Sequence, residues 1–176
     1  EPVSFREKEP IVIPEKPWAL TGRKDREEHN TIQSIYINPD DLEAKNIELQ
    51  DKYKVVSRDE VRYEELNTEG AEIIIVAFGT CSRICRNVIR QASGIGIKVG
   101  MIRPITLWPF PTEVIAAAAA KPETRAFLDV ELNAGQMVED VRLAVNGKKP
   151  VHFYGRMGGN LPGQQEILDR IIKIHE

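Results

Sequence analysis

The sequence predicts an α/β fold in which helices cover both faces of a mostly parallel sheet, a three-layer sandwich. The first observation is the nearly continuous apolar run from Ala71 to Phe78, which is typical of a strand buried on both faces. The second is the regular alternation of strand-like and helix-like segments from this run to the end of the chain. Repeated strand–helix units favour parallel strands joined by right-handed crossovers.

Each element after the first strand has its own local signal. Gly79 turns the chain into a helix over Cys81 to Ser93. The second strand, Ile97 to Ile102, ends where prolines begin, because proline cannot donate to a sheet ladder. Thr112 is predicted to cap a helix that ends at Ala120. The remaining predictions are a strand from Arg125 to Leu132, a helix from Gly135 to Val145, a strand from Val151 to Tyr154 and a helix from Gly163 to His175.

The part of the chain before the first buried strand is organised differently. Residues 1–37 contain four prolines and a charged run but no sustained periodicity, which predicts an irregular arm. Asn38 as a cap and Pro39 in the first helical position predict one extra helix, running to about Val56. The charged stretch Arg58 to Glu69 is compatible with either an irregular connection or a short strand. The predicted divisions are an arm or tail of a preceding domain (1–37), a linker helix and connection (38–70) and an α/β domain (71–176).

Composition excludes several classes of protein. With 176 residues, 41% hydrophobic and 29% charged, the chain is ordinary for a globular protein, and no apolar run approaches the length of a membrane helix. Residues 1–70 hold 17 acidic and 11 basic side chains, net −6, and the remainder holds 10 and 13, net +3. No basic face with interleaved aromatic residues indicates nucleic acid. We expect a cytoplasmic protein without nucleic-acid or membrane partners and, because it opens at Glu1 rather than Met, a piece of a longer one.

Chemically reactive residues are few and dispersed. Cys81 and Cys85 are the only cysteines, too few for a four-ligand cluster, and we expect reduced thiols. The three histidines have no acidic or cysteine partners at ligand spacing. Asp129 and Glu131 share one face of a strand, where Asp129 is expected to be a paired structural charge or a hydrogen-bond acceptor at the strand end. We therefore expect no catalytic, cofactor-binding or metal-ligating residue in this chain.

In an open parallel sheet, ligands and partners gather at the carboxyl ends of the strands. Gly79 to Ser82 is either an anion cradle or a tight turn with a hydroxyl cap. Gly155 to Gly163 either approaches a partner closely or is a plain connection. Arg103 to Pro111, with three prolines and four large apolar residues, either covers its own core or forms a docking surface. The candidate interface residues are Arg103, Leu107, Trp108, Phe110, Glu131, Asn133, Gln136, Gly158 and Gly159.

Three segments resemble the C-terminal domain of the large subunit of 2-oxoacid:ferredoxin oxidoreductases. They are Ala77-Phe78-Gly79-Thr80, the stretch from Arg103 to Pro111, and Glu131 to Met137, in the family's order and spacing. Trp18 to Gly22, followed by Ser34 to Pro39, is similar to the branched-chain 2-oxoacid, or 2-ketoisovalerate, branch in particular. The resemblance extends from about residue 18 to the end and implies a transketolase C-terminal-like domain.

The resemblance also implies a function. The chain would be the non-catalytic C-terminal part of the alpha subunit of a thiamine-dependent enzyme, serving subunit assembly. That enzyme would decarboxylate a branched-chain 2-oxoacid oxidatively to its acyl-CoA and reduce ferredoxin. Thiamine diphosphate, Mg²⁺ and iron–sulfur clusters are implied for the whole complex, and none is implied for this fragment. The implied partners are the N-terminal pyrimidine-binding domain of the same subunit, the beta and small iron–sulfur subunits, and, for the whole complex, ferredoxin and coenzyme A.

Two alternatives stay open. The first is the same domain of a pyruvate or 2-oxoglutarate oxidoreductase, because Thr21-Gly22 and Pro104 to Pro111 occur in relatives with other substrates. The second is a free-standing α/β module that binds a small or regulatory ligand through the loops at Thr80 and Ser82 and at Gly158 and Gly159.

Overall fold

The computed structural model describes residues 7–23 and 25–176. The chain divides into two compact units, one ending at Glu48 and one from Leu49 to Glu176. In chain order the described elements are α1 (Pro39–Asp59), β1 (Tyr63–Leu66), β2 (Ile73–Val76), α2 (Gly79–Gly94), β3 (Val99–Pro104), α3 (Thr112–Ala120), β4 (Ala126–Glu131), α4 (Met137–Val145), β5 (Val151–Gly155) and α5 (Gln164–His175).

The first unit consists of an irregular arm that leads into α1. Its described residues before Pro39 form neither helix nor strand, as the prolines predict. Local bonds stabilise the arm: the Asn30 side-chain amide donates to the carbonyls of Pro17 and Ala19, at 2.6 and 3.1 Å. The Asn38 side chain accepts the Asp40 backbone N–H at 3.0 Å, so the predicted cap forms.

The described residues form one five-stranded sheet in the second unit, in the order β1-β3-β2-β4-β5. Strands β3, β2, β4 and β5 are parallel, and β1 pairs antiparallel with β3 at one edge. The mostly parallel α/β sheet predicted from the strand–helix alternation is confirmed. β1 comes from the charged stretch that the sequence left open, so part of the predicted connection belongs to the sheet.

Two apolar clusters cover the two faces of the sheet and make the fold three-layered. Ile73 and Ile75 of β2 pack toward α2 and α5, whereas Ile74 and Val76 pack toward α3 and α4. All four residues of β2 are buried, because successive side chains of a strand point to opposite faces and both faces here carry helices. This arrangement leaves the carboxyl ends of β3, β2, β4 and β5 along one edge of the sheet.

Four helix starts differ from their predicted positions. α4 begins at Met137 rather than Gly135, and α5 begins at Gln164 rather than Gly163. α2 begins at Gly79, whose φ of +55° suits glycine, rather than at Cys81. α3 begins at Thr112 itself, with Pro111 at the capping position and no side-chain cap, so the predicted Thr112 cap is wrong. The proline occupies the place that a capping side chain would need.

Candidate functional site

The loop between β3 and α3, residues 105–111, is the first part of the candidate site and is called here the aromatic loop. The backbone N–H groups of Ile105 and Thr106 donate to the carbonyl of Arg62, at 2.9 and 3.1 Å. The Thr106 hydroxyl accepts the Arg62 N–H at 3.0 Å and donates to the Pro109 carbonyl at 2.9 Å. The loop is therefore held against the residue that precedes β1.

The aromatic loop has two halves with opposite burial. Pro109 and Pro111 are buried, and Phe110 packs against the cluster on the α3 and α4 face. Leu107 and Trp108 are exposed, and Trp108 leaves 60% of its surface accessible. One half thus covers the core, as the first interpretation expected, and the other half presents large apolar side chains.

Trp108 lies against α1. Its ring meets the ring of Tyr53 edge to face, with centroids 5.6 Å apart and planes at 83°. Depressions of about 660 and 400 Å³ open on either side of Trp108. We call the two depressions together the aromatic groove. Ser57 and Trp108 line both, Tyr53 lines the larger one, and Val61 and Tyr63 line the smaller one. The contact between Tyr53 and Trp108 was not predicted, because they lie 55 residues apart in the sequence.

Arg103, on β3, forms an ion pair with Glu64 of the adjacent strand β1. Its Nη1 lies 3.0 Å from Glu64 Oε2, and Arg86 Nη2 lies 2.7 Å from the same oxygen. Hydrogen bonds from Arg86 and then Arg103 hold the pKa of Glu64 below its usual value. The Arg103 Nε is buried and has no hydrogen-bond partner among the described residues. Arg103 therefore fastens β1 to β3, and only part of its guanidinium remains for a partner.

Glu131, at the end of β4, is buried rather than available at the surface. It is 1% exposed, and its carboxylate accepts the backbone N–H groups of Gln136, Met137 and Val138 at 3.0, 3.0 and 3.1 Å. The Asn133 amide donates to it at 2.9 Å. Its prediction as an interface residue is corrected on this ground: the side chain satisfies the first amides of α4, which otherwise lack partners.

Asp129 lies two residues earlier on the same strand and is fully buried. Neither of its oxygens reaches hydrogen-bond geometry with any described group. Burial, together with the neighbouring Glu131, raises its pKa to about 9. The predicted paired charge is therefore wrong: no cation among the described residues forms an ion pair with Asp129, and the carboxyl keeps its proton at neutral pH.

Burial acts differently on the pKa of Glu131. By itself it would raise that pKa, but interactions with Asp129 and hydrogen bonds from the start of α4 outweigh it and hold the pKa below its usual value. One strand end thus carries a neutral acid beside an ionised one.

The loops after β4 and β5 meet at the same edge. The Asn133 side chain accepts the Gly135 N–H at 2.7 Å, and a Cβ at Gly155 would lie 2.1 Å from the Asn133 carbonyl. Gly158 and Gly159 are exposed with φ of +65° and +84°, and Gln136 is exposed. Three large exposed side chains here were missed by the sequence reasoning because each stands alone in a polar stretch: Leu132, Met157 and Leu161.

The two hydroxyl residues at the start of α2 differ, because Thr80 is exposed whereas Ser82 is turned inward. The Ser82 hydroxyl is buried and donates to the Gly79 carbonyl at 2.8 Å, and no side chain caps the helix. Cys81 and Cys85 are free, buried thiols, and burial raises their pKa values to about 11 and about 12. Within residues 7–23 and 25–176, no three metal-binding side chains converge and no helix could cross a membrane.

The chain is similar to known proteins in sequence and in fold. The family model described as "Pyruvate:ferredoxin oxidoreductase core domain II" matches residues 71–167. The ketoisovalerate oxidoreductase subunit VorB of Methanothermobacter marburgensis is 42% identical over 174 residues, 99% of this chain and 48% of that protein. The 2-oxoglutarate synthase subunit KorA of the same organism is 33% identical over 105 residues, 60% of this chain and 28% of that protein. The chain spans about half the length of VorB.

Two solved structures share the fold. A 2-oxoglutarate:ferredoxin oxidoreductase from Magnetococcus marinus, with 2-oxoglutarate, coenzyme A and succinyl-CoA bound, matches with a TM-score of 0.68 and 22% identity, over 81% of this chain and 25% of that one. A split-gene transketolase, an inactive beta4 tetramer, matches with a TM-score of 0.54 and 17% identity, over 64% of this chain and 41% of that one. The predicted transketolase-like α/β fold is therefore confirmed.

Proposed function

The chain belongs to the pyruvate:ferredoxin oxidoreductase core domain II family, and we propose that it is the C-terminal part of the alpha subunit of a thiamine-dependent 2-oxoacid:ferredoxin oxidoreductase. The proposed substrate is a branched-chain 2-oxoacid, converted to its acyl-CoA as ferredoxin is reduced. One observation carries this choice: the similarity to VorB runs over 99% of this chain, including the arm, whereas the similarity to KorA covers 60%.

Within that enzyme, the proposed role of this part is assembly rather than chemistry. A metal-bound diphosphate needs accessible oxygen ligands, and the two carboxyl groups at the end of β4 do not fit that need. Asp129 is buried and protonated, and Glu131 is engaged by α4. Thiamine diphosphate, Mg²⁺ and the iron–sulfur clusters are therefore assigned to other parts of the proposed complex, which we expect to be cytoplasmic.

The proposed contact surface is the carboxyl edge of the sheet. Exposed Leu107 and Trp108 supply apolar area after β3, and Asn133, Gln136 and the Gly158-Gly159 turn supply polar and backbone groups after β4 and β5, further along the same edge. A mixed surface of this kind suits a subunit interface, in which a few aromatic side chains provide most of the binding energy. The proposed partners are the pyrimidine-binding domain of the same subunit and the beta and small iron–sulfur subunits.

Activity measurements test this proposal in two steps. The isolated chain, supplied with thiamine diphosphate, Mg²⁺ and coenzyme A, should show no 2-oxoacid-dependent reduction of an artificial electron acceptor. The whole complex should show it, with 3-methyl-2-oxobutanoate used more efficiently than pyruvate or 2-oxoglutarate. Turnover by the isolated chain above a heat-killed control would contradict the non-catalytic role. A preference of the complex for 2-oxoglutarate would contradict the substrate assignment alone.

A further inference from the structure

A cavity of about 230 Å³ opens beside the middle of the edge strand β5 and shares no lining residue with the aromatic groove. It lies between β5 and the last turns of α5. Three basic and three apolar residues line it, and no acidic residue is among them: His152, Arg170, Lys173, Leu128, Phe153 and Ile174. A concave site with an apolar wall and a few convergent polar groups is the usual form of a small-molecule site.

Arg170 is fixed in place without losing its hydrogen-bond donors. Its guanidinium carbon lies 4.1 Å from the centroid of the Tyr154 ring, a cation–π contact. The acidic residue one turn earlier, Glu166, already accepts bonds from the Tyr154 hydroxyl, Arg156 Nη1 and the Gly163 N–H, at 2.6, 3.0 and 2.8 Å. Stacking orients the plane of a guanidinium while its edge stays free to bind an anion.

The backbone of β5 adds a donor at the same place. Phe127 N donates to the Pro150 carbonyl at 2.9 Å, and Arg156 N donates to the Glu131 carbonyl at 3.1 Å. In a parallel ladder the residues that bond to the neighbour alternate along the strand, so the even-numbered residues of β5 pair with β4. The N–H of Phe153 consequently points away from β4, toward the open edge beside the cavity.

We propose that this cavity binds a small molecule in which an anionic group, phosphate or carboxylate, is joined to an apolar part. Lys173, Arg170 and His152 would receive the anion, and Leu128 and Ile174 would contact the apolar part. The volume suits an anion with one small ring, since drug-sized ligands occupy about 300–1,000 Å³. The site is separate from the proposed assembly surface and does not depend on the oxidoreductase proposal.

Titration of the ¹⁵N-labelled chain with phenyl phosphate, followed by amide chemical shifts, tests the site. We expect saturable shifts centred on Phe153 and Lys173, and binding several-fold tighter than that of inorganic phosphate, which lacks the apolar part. A parallel titration with benzoate identifies whether phosphate or carboxylate is preferred, and saturable binding of either at β5 and α5 supports the site.

Variants separate this site from general attraction between charges. Lys173→Gln should weaken binding at least about tenfold, because a charge-assisted hydrogen bond is lost. His152→Gln, at an exposed position, is the second variant and should weaken it less. Lys148→Gln removes the same charge from the exposed turn after α4 and should leave affinity within about twofold. The absence of saturable shifts at β5 and α5 with both probes, or equal weakening by Lys148→Gln, would overturn the proposal.

Discussion

Two connections at the carboxyl edge of the sheet, which follow β3 and β4 on either side of β2, behave in opposite ways. The aromatic loop after β3 exposes a large apolar side chain, Trp108, whereas the connection after β4 buries a charged one, Glu131. In the second stretch, the carboxylate reaches the first amides of α4 across five residues, Leu132 to Gln136. In the first, Pro111 precedes α3 and no side chain caps that helix.

The position of a residue in the sheet therefore does not by itself determine whether its side chain is exposed. The strand order determines which loops share an edge, and hence where a partner can dock. The unsatisfied N–H groups of the following helix determine whether a polar side chain turns inward. A polar residue at the carboxyl edge is therefore a docking candidate only if its side chain is not the hydrogen-bond acceptor for the first N–H groups of the next helix.

The largest expected effect comes from removing the inward-turned carboxylate. Glu131→Ala should lower the free energy of unfolding by about 3–5 kcal/mol, because the buried amides at the start of α4 lose their acceptor. Chemical denaturation measures the loss. Glu139→Ala, which removes an exposed first-turn acid of α4 that pairs with Arg142, is the control and should change stability by under about 1 kcal/mol. A small effect of Glu131→Ala would mean that water can accept the hydrogen bonds of the first N–H groups of α4.

The second prediction uses the proton on Asp129. Its pKa in the folded chain is raised to about 9, so between roughly pH 4 and pH 9 the folded state binds one more proton than the unfolded state. The contribution of this group to the free energy of unfolding is fully present below pH 4 and is lost as pH rises. Asp129→Asn removes this titration, so its stability relative to the natural chain should rise by up to about 1.4 kcal/mol per pH unit.

Denaturation midpoints at pH 5, 6 and 7 measure this effect. Asp140→Asn, which changes an exposed acid on α4, is the matched control and should give a pH profile parallel to that of the natural chain. A parallel profile for Asp129→Asn as well would show that Asp129 titrates normally and that the edge carries two ionised acids.

The third prediction concerns the exposed tryptophan of the aromatic loop. Trp108→Ala should weaken assembly of the whole subunit with its partners by about 2 kcal/mol, on the scale of interface hot spots. The same change should cost the isolated chain less than about 1 kcal/mol, because 60% of the side chain is already exposed. Size-exclusion profiles of the complex and thermal melts of the chain measure the two effects.

The control for this change is Leu143→Ala, which truncates an exposed side chain on α4, outside the aromatic groove. It should leave assembly unchanged. If Trp108→Ala costs the isolated chain 3 kcal/mol or more, Trp108 belongs to the core and the docking proposal fails.

How much of the structure can be predicted from the sequence depends on how far apart in the chain the interacting residues lie. β2 was predictable because its apolar run alone requires burial on both faces. β1 was left open because Glu64, in a charged stretch, is held by Arg86 and Arg103 from distant elements. The burial of Glu131 was not predictable, since it depends on where α4 begins relative to β4.

The smallest predicted effect tests whether α1 fixes the exposed tryptophan. Tyr53 and Trp108 meet edge to face, and pairs of this geometry contribute about 0.5–1.5 kcal/mol beyond the area they bury. A double-mutant cycle with Tyr53→Leu and Trp108→Leu in the isolated chain should return a coupling energy in that range. Tyr63→Leu, at another lining position of the aromatic groove, replaces Tyr53→Leu in the control cycle and should couple less. A coupling near zero would mean that Trp108 is exposed and unsupported, so that a partner would have to order it on binding. A measurable coupling means that α1 presents Trp108 in a fixed orientation, which lowers the entropy cost of docking.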